Sequence, residues 1–155
     1  MRMQNEGGKG TSNALQELES QLAAKLPGSY AQFLLNHNGG RPKPRSFRVP
    51  SHEERVFDVH YLFGLTRTTE TSNVGWHARE YRDFVEAGML PIGGTETSDL
   101  ILLRIAGGNR GEVVFWDSMA EDSAHAFYSV AASFEDFLDR LFEGVVRGRS
   151  TDDER

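Results

Sequence analysis

Two apolar runs separated by a short glycine-rich segment constrain the fold of this chain more than any other feature. The run LILLRI extends from Leu100 to Ile105, and EVVFWD extends from Glu112 to Asp117. Between them lies AGGNRG, whose glycines can adopt the positive φ angles that a tight reversal needs. The sequence therefore predicts an antiparallel hairpin, and with it a sheet of mainly antiparallel strands.

Three further segments have the composition of strands. Apolar residues alternate with other residues from Phe57 to Leu62, as in a strand with one buried face. The short apolar piece MLPIGG precedes the hairpin across the polar turn TETSD, and FYSVA follows the hairpin after a polar connection. The strands are thus predicted to follow one another along the chain.

Helical periodicity precedes these strands. Leucines at spacings of three and four predict a first helix, which begins near Ser12 or Asn13 because either side chain can cap it. Pro27 ends this helix and begins a second one. Gly39 or Gly40 is predicted to end the second helix in a left-handed conformation.

A third helix is predicted within the strand region, and a fourth closes the chain. The third is capped by Ser72 or Asn73 and ends at Gly88, and the fourth is capped by Ser133. The apolar stripe of the last helix is Phe134, Phe137, Leu138, Leu141 and Val145. This order predicts an α+β fold: a single domain with an N-terminal helical hairpin, a central mainly antiparallel sheet with one inserted helix, and a C-terminal helix packed on the sheet.

The predicted domain occupies residues 12–146. Residues 1–11 and 147–155 are polar or charged and have no apolar periodicity, so we expect disordered tails. The stretch Arg41–Arg55 contains three prolines and five basic residues and is predicted to be a loop. Such a loop is either solvated or in contact with a partner.

Composition narrows the class of function. The chain has 155 residues, a net charge of -6 and no cysteine, which excludes disulfides, thiolate metal sites and a cysteine nucleophile. An acidic chain is a poor direct binder of nucleic acid, because phosphate neutralisation needs clustered Lys and Arg. No apolar run approaches the ~20 residues that span a bilayer, and the start lacks the apolar region of a secretory signal. We therefore expect no membrane contact and a cytoplasmic location.

No catalytic or metal-binding motif is visible in the chain. The five histidines are scattered without a recognised ligand spacing, and there is no GxSxG elbow or P-loop. We predict no catalytic residue, no metal and no cofactor. Two features remain open: Trp116 and Asp117 either face a cleft or belong to the core and a turn, and Asp99 either caps a turn or binds a partner.

Four segments, in this order, resemble the SUKH superfamily, the domain of the yeast Smi/Knr cell-wall regulators and of many bacterial immunity proteins. They are LPGSYAQFLLNHNGG, LPIGGTETSDLILLRI, GEVVFWD and VAASFEDFLDRL, and with the leading helix they cover Asn13 to Phe142. The family often has Gly before the turn aspartate, where Ser98 stands here. It often has His after Trp-Asp, where Ser118 stands.

The resemblance implies a non-enzymatic α+β domain whose bacterial members bind and neutralise toxins, commonly nucleases or other toxins that target nucleic acid. It also implies a partner-binding cleft formed by Asp99, Trp116 and Asp117, with Tyr30 and Asn38 close to it. These five residues are the predicted partner-binding residues.

Three hypotheses follow from the resemblance and the charge. The first is an immunity protein that occludes a cognate toxin with a basic face, because an acidic inhibitor is steered towards such a face. The second is an intracellular regulatory or scaffold module of the Smi/Knr type, unrelated to toxins. The third, an enzyme, would be indicated by a turnover that disappears in Asp99→Ala or Asp117→Ala. The oligomeric state is left open.

Overall fold

A computed structural model describes residues 1–144 of the chain. The strands are β1 (Arg2–Gln4), β2 (Arg41–Lys43), β3 (Ser46–Val49), β4 (Arg55–Leu62), β5 (Met89–Thr95), β6 (Leu100–Arg104), β7 (Val113–Trp116) and β8 (Phe127–Ala131). The helices are α1 (Ser12–Leu22), α2 (Gly28–Asn36), α3 (Val74–Glu80), α4 (Arg82–Glu86) and α5 (Phe134–Asp139). This arrangement confirms the predicted α+β class in a single domain.

The main sheet is an antiparallel meander of six strands in the order β3-β4-β5-β6-β7-β8. It contains the predicted hairpin, β6 and β7, in which Leu100 lies opposite Trp116 and Leu103 lies opposite Val113. Gly107 and Gly111, in the connection between these strands, have φ angles of 86° and 101°. The glycines therefore provide the positive φ angles that the sequence predicts for this reversal.

Both faces of the central strands are buried, which explains why the sequence of β6 is continuously apolar. Ile101 and Leu103 face the main core, where the apolar sides of α1, α2 and α5 also lie. Leu100 and Leu102 belong to a second cluster on the opposite face. Strands buried on both faces are expected to be apolar throughout and not alternating.

The second cluster is covered by the helical segment inserted between β4 and β5. Tyr81, between α3 and α4, and Phe84 of α4 pack on this cluster. The sequence predicts one helix here, but the helix is broken at Tyr81, where φ is -113° and ψ is 46°. The break turns the chain so that α3 and α4 can cover different parts of the curved sheet.

The sheet curves enough to bring its first strand over its last two. The ring of Phe47 in β3 lies 6.1 Å from that of Phe115 in β7, measured between centroids. His52, in the turn after β3, stacks on Tyr128 of β8 at 4.2 Å and 4°. α5 packs inside this curve, where Phe137 contacts Phe47 at 5.4 Å.

Two segments differ from the expectations drawn from sequence. The stretch Arg41–Arg55 is not a loop throughout, because it contains β2 and β3. The N-terminal residues, expected to be disordered, form β1, so the chain begins with a strand and not with a helical hairpin. β1 and β2 form a separate two-stranded ribbon, and Pro42 is tolerated in β2 because an edge strand can lose a donor.

The helix ends also shift slightly from their predicted positions. α1 is capped by Thr11, whose hydroxyl accepts the N–H of Ala14 at 3.1 Å, one residue before the predicted cap. Ser133 caps the last helix as predicted, by accepting the N–H of Asp136 at 3.0 Å. The predicted tail 147–155 and Val145 lie outside the described residues.

The glycines predicted to stop α2 have a different function. α2 ends at Asn36, and Gly39 and Gly40 follow with φ angles of 79° and 125°. A Cβ atom on Gly39 would lie 2.7 Å from the carbonyl oxygen of Leu62. Glycine is therefore needed here because the backbone lies directly against the end of β4.

We predict that β6 is sensitive to truncation on both faces. Leu102 and Leu103 are completely buried on opposite sides, so Leu102→Ala and Leu103→Ala should each lower the free energy of unfolding by about 2–5 kcal/mol. Urea-induced unfolding measures both. Met119→Ala, at a side chain that is 80% exposed, is the control and should change stability by less than about 0.5 kcal/mol. A Leu102→Ala variant as stable as this control would show that α4 does not cover a second core.

Candidate partner-binding surface

A cleft of about 460 Å³ lies between β4, β5 and the helical segment that precedes β5. β4 contributes His60 and Tyr61 to its wall, and the other wall is formed by Thr71, Ser72 and His77. The lining is therefore aromatic and polar. Clefts of this size and mixed lining are common sites of recognition.

Asp99 lies at one end of the cleft, in the turn between β5 and β6, and is buried. Its Oδ2 accepts the hydroxyls of Thr95 at 2.9 Å and Thr97 at 2.6 Å. Its Oδ1 accepts both the backbone N–H of Ser118 at 2.9 Å and its hydroxyl at 2.8 Å. Burial opposes ionisation, but the hydrogen bonds from Thr97, Ser118 and Thr95 outweigh it and hold the pKa of Asp99 below its usual value.

The two positions at which the chain departs from the SUKH pattern, Ser98 and Ser118, both lie next to Asp99. Ser98 has a φ angle of 68°, in the left-handed region that favours the glycine that family members often have there. Ser118 provides two of the four hydrogen bonds that Asp99 accepts. Asp99 thus joins the β5–β6 turn to the segment that follows β7.

Trp116 and Asp117 lie next to each other but contact different parts of the molecule. Trp116 is half-buried beside the second cluster, with its ring edge-to-face against Tyr81 at 6.5 Å and Phe84 at 5.5 Å. The carboxylate of Asp117 is 2.9 Å from Nε2 of His52, in the turn after β3, and it is mostly buried. Trp116 therefore adjoins the cleft, whereas Asp117 fastens the β3–β4 turn to the end of β7.

Tyr30 and Asn38 lie in the interior. The ring of Tyr30 packs edge-to-face on Phe134 at 5.0 Å, its hydroxyl has no hydrogen-bond partner among the described residues, and burial raises its pKa. The side chain of Asn38 accepts the N–H groups of Leu65 at 2.6 Å and Thr66 at 3.1 Å. Asn38 therefore connects the end of α2 to the loop after β4.

The structure brings together three of the five predicted residues and separates the other two. Asp99, Trp116 and Asp117 lie at the same end of the β6–β7 hairpin, because Leu100 pairs with Trp116. Tyr30 belongs to the helical side of the main core. Of the five, Trp116 exposes the largest aromatic surface, and a role for any of them in binding stays a prediction.

A row of aromatic rings beside the cleft was not predicted from the sequence. We call it the aromatic ladder, and it consists of Phe63, His77, Tyr81, Phe84 and Trp116. His77 stacks on Phe63 at 3.7 Å and 8°, and on Tyr81 at 6.2 Å and 8°. Tyr81 stacks on Phe84 at 5.6 Å. The signal was present as aromatic residues at helical spacing, but that spacing by itself indicates a buried stripe and not a half-exposed one.

His77 has an unusual hydrogen-bond state within the ladder. Its Nε2 lies 2.8 Å from the carbonyl of Thr71, and since a carbonyl only accepts, Nε2 carries the proton. Burial lowers the pKa of His77, against the opposing effects of the Thr71 hydrogen bond and the Glu80 charge. The ring is therefore neutral at pH 7, and its buried Nδ1 is an acceptor with no hydrogen bond from the described residues.

Arg41, from β2, also lines the cleft. Its guanidinium makes no hydrogen bond or ion pair with another described residue, and its Nε is buried.

Among residues 1–144 no group of three or more His, Cys, Asp or Glu side chains could hold a metal ion. None of the helices in that range is long and apolar enough to cross a membrane. The cleft therefore provides aromatic and polar side chains and one guanidinium for contact with a partner.

Comparison with known proteins agrees with the resemblance seen in the sequence. Residues 9–140 match the SMI1 / KNR4 family (SUKH-1). The chain is also 22% identical over 163 residues to the SPbeta prophage-derived uncharacterized protein YokK of Bacillus subtilis (strain 168). That alignment covers 92% of this chain and 80% of the Bacillus protein. The predicted family resemblance is thereby confirmed.

We predict that Asp99→Asn destabilises the protein in a pH-dependent manner. The amide keeps one accepting oxygen, but its NH2 group cannot accept the hydrogen bonds that the second carboxylate oxygen accepts. The free energy of unfolding at pH 7 should therefore fall by about 2–4 kcal/mol. The folded pKa of Asp99 lies below the unfolded value of 3.8, so its contribution is present above that value and is lost as the pH falls through the folded pKa. The difference from the wild type should therefore shrink towards low pH.

Urea unfolding at several pH values between neutral and acid measures this difference. Asp83→Asn, at an exposed position on α4, is the matched control and should differ little from the wild type at every pH. A difference between Asp99→Asn and the wild type that stays constant down to low pH would contradict a charged, hydrogen-bonded Asp99.

We predict that Tyr30→Phe retains or gains stability, because it removes a buried hydroxyl that has no hydrogen-bond partner among the described residues. The free energy of unfolding should stay within about 0.5 kcal/mol of the wild type or rise by up to about 1 kcal/mol. Tyr30→Ala should instead cost about 3–5 kcal/mol, because the ring is part of the core. A loss of more than about 1 kcal/mol in Tyr30→Phe would reveal a hydrogen bond of this hydroxyl.

Proposed function

Because the chain belongs to the SMI1/KNR4 family (SUKH-1), we propose that it is an immunity protein, a non-enzymatic inhibitor that binds a cognate bacterial toxin and neutralises it by occlusion. The family match carries this proposal, and it spans 9–140, which includes the main sheet and the cleft. The toxin that we propose is a nuclease or another toxin that targets nucleic acid, bound in the cytoplasm.

The aromatic ladder supports a protein partner. Tyr81, Phe84 and Trp116 are half-buried and lie side by side next to the cleft. Aromatic residues are enriched in protein interfaces, where partly exposed rings give a large contact area at a small cost in side-chain entropy. We place the centre of the toxin interface at this ladder and the adjoining cleft.

The walls of the cleft are held in place by buried side chains, which favours tight binding. Asn73 accepts the backbone N–H of Arg67 at 2.6 Å and donates to its carbonyl at 3.1 Å. Asn38 holds the beginning of the same segment through Leu65 and Thr66. A surface that is ordered before binding loses less conformational entropy when the complex forms.

The charge of the chain supports a partner with a basic face. The net charge is -6, and a nuclease must attract phosphate, so its substrate-binding face is basic. Long-range attraction between the two proteins would then accelerate their association and orient the toxin. An inhibitor bound at that face would occlude the substrate without any chemical step.

We predict that the protein binds and protects against a toxin encoded by a neighbouring gene. Co-expression should restore growth, and the association rate measured by stopped flow should fall at least about tenfold as the ionic strength rises from ~10 mM to ~150 mM. Tyr81→Ala and Trp116→Ala, checked by circular dichroism, should weaken binding at least about tenfold because they remove interface aromatics. Met119→Ala, exposed and outside the ladder, is the control.

Three outcomes would contradict this proposal in whole or in part. A protein that neither binds the neighbouring gene product nor protects cells from it would not be an immunity protein for that toxin. Stable binding to a host regulatory protein instead would support the alternative, an intracellular regulatory or scaffold module of the Smi/Knr type. A neighbouring toxin that lacks a basic face would contradict the electrostatic part.

A further inference from the structure

The cleft contains a positive charge that no described residue neutralises. Arg41 reaches the lining from β2, and its guanidinium has neither a hydrogen bond nor an ion pair within residues 1–144. Its Nε atom is buried. Charged groups that are partly removed from water are normally paired, so an unpaired guanidinium in a cleft indicates a missing acceptor.

The carboxylates around the cleft are already engaged elsewhere. Asp99 lines the same cleft but accepts four hydrogen bonds from other residues. Glu96, in the same turn, lies 2.9 Å from Arg45 and 3.3 Å from His60. A carboxylate that pairs with Arg41 would therefore come from outside the described part of the chain.

A second polar atom of the lining is also without a partner. Nδ1 of His77 is buried, and the bond from Nε2 to the Thr71 carbonyl leaves Nδ1 as an acceptor. Because Nδ1 is buried, it is not open to the cleft, and the unpaired group that the cleft presents to an occupant is the guanidinium of Arg41. An occupant that satisfies it must carry an anionic acceptor.

We propose that the cleft receives an acidic side chain of the protein partner, Asp or Glu, whose carboxylate pairs with the guanidinium of Arg41. Tyr61 and Tyr81 flank the inserted side chain. This inference rests on the proposed function, because it takes the cleft to be part of a protein interface.

The charge of the cleft favours a carboxylate over a phosphate. Arg41 is the one cation in the lining without a partner among the described residues, and Asp99 adds a negative charge at one end. A phosphate dianion would need further cations or a set of backbone N–H donors to offset that repulsion. A monoanionic carboxylate is matched by one guanidinium, which can bind it with two parallel hydrogen bonds.

An anchor of this kind would select among partners. The net charge of -6 attracts any basic face, but docking against the cleft also removes Arg41 from water. A partner without a carboxylate at this point would leave the guanidinium buried and unpaired, which is strongly unfavourable. Arg41 would therefore distinguish the cognate toxin from other basic proteins.

The inference can be tested before any toxin is identified. The full-length protein, labelled with ¹⁵N, is titrated with the peptide acetyl-Gly-Glu-Gly-amide, and two sets of NMR signals are followed: the Nε–Hε signals of arginine and the backbone amides of Tyr61 and Tyr81. We expect saturable shifts of the Arg41 signal and of these amides at millimolar peptide, and no shift with the matching Gln peptide. In Arg41→Gln the response of the two backbone amides should be absent, whereas Lys25→Gln, which removes an exposed cation outside the cleft, should retain it.

Other outcomes of the titration would overturn the inference. An Arg41 signal that ignores the Glu peptide, or that responds equally to the Gln peptide, would show that the guanidinium does not select a carboxylate. A parallel titration with inorganic phosphate that gives tighter saturation than the peptide would assign the cleft to a phosphate ligand instead. Thermal unfolding of Arg41→Gln shows whether the variant is folded, and Arg41→Lys, which keeps the charge, should restore part of the response.

The anchor and the proposed function fail in different ways. With the toxin in hand, Arg41→Gln should raise the Kd at least about tenfold, and Lys25→Gln should change it by less than about twofold. Unchanged toxin affinity in Arg41→Gln would reject the anchor and leave the immunity function standing. A selective response to the Glu peptide without any toxin binding would reject the immunity function and leave the carboxylate site standing.

Discussion

The burial of β6 on both faces is the constraint on which the rest of this molecule depends. One face of the hairpin is covered by α1, α2 and α5 together with Val74 and Ala78 of α3, and the other needs a second cover, which Tyr81 and Phe84 provide at the end of this segment. Apolar burial is the main favourable contribution to folding, so neither cover can be lost without exposing leucines of β6. The chain segment between β4 and β5 is therefore structural as well as a candidate for binding.

The cleft is a consequence of how that second cover is built. The cover comes from Tyr81, at the break between α3 and α4, and from Phe84 of α4, so it does not seal the sheet near β4. Its side chains are aromatic and have polar edges, which lets them bury one side against Leu100 and expose the other. The same residues thus complete the core and form the wall of a surface that a partner can contact.

Much of the fold could be predicted from sequence because its strongest signals are local. The hairpin of β6 and β7 follows from glycines between apolar runs, and the cap at Ser133 follows from the residues around it. β1 and β2 could not be predicted in this way, since a short polar strand has no apolar alternation and prolines argue against a strand. Their pairing depends on contacts between residues almost forty positions apart.

The site was harder to predict than the fold, and the reason is also physical. Asp99 and Asn38 belong to turns that the family pattern marks, and their side chains are hydrogen-bonded within the protein, so a binding role for them stays a prediction. The groups that remain free, Arg41 and Nδ1 of His77, come from segments that meet only in the folded chain. What distinguishes a binding group from a structural one is whether its hydrogen bonds are satisfied, and a sequence does not contain that information. Arg41 is half-buried and has lost part of its hydration without gaining an ion pair, which is the observation behind the proposed acceptor from a partner.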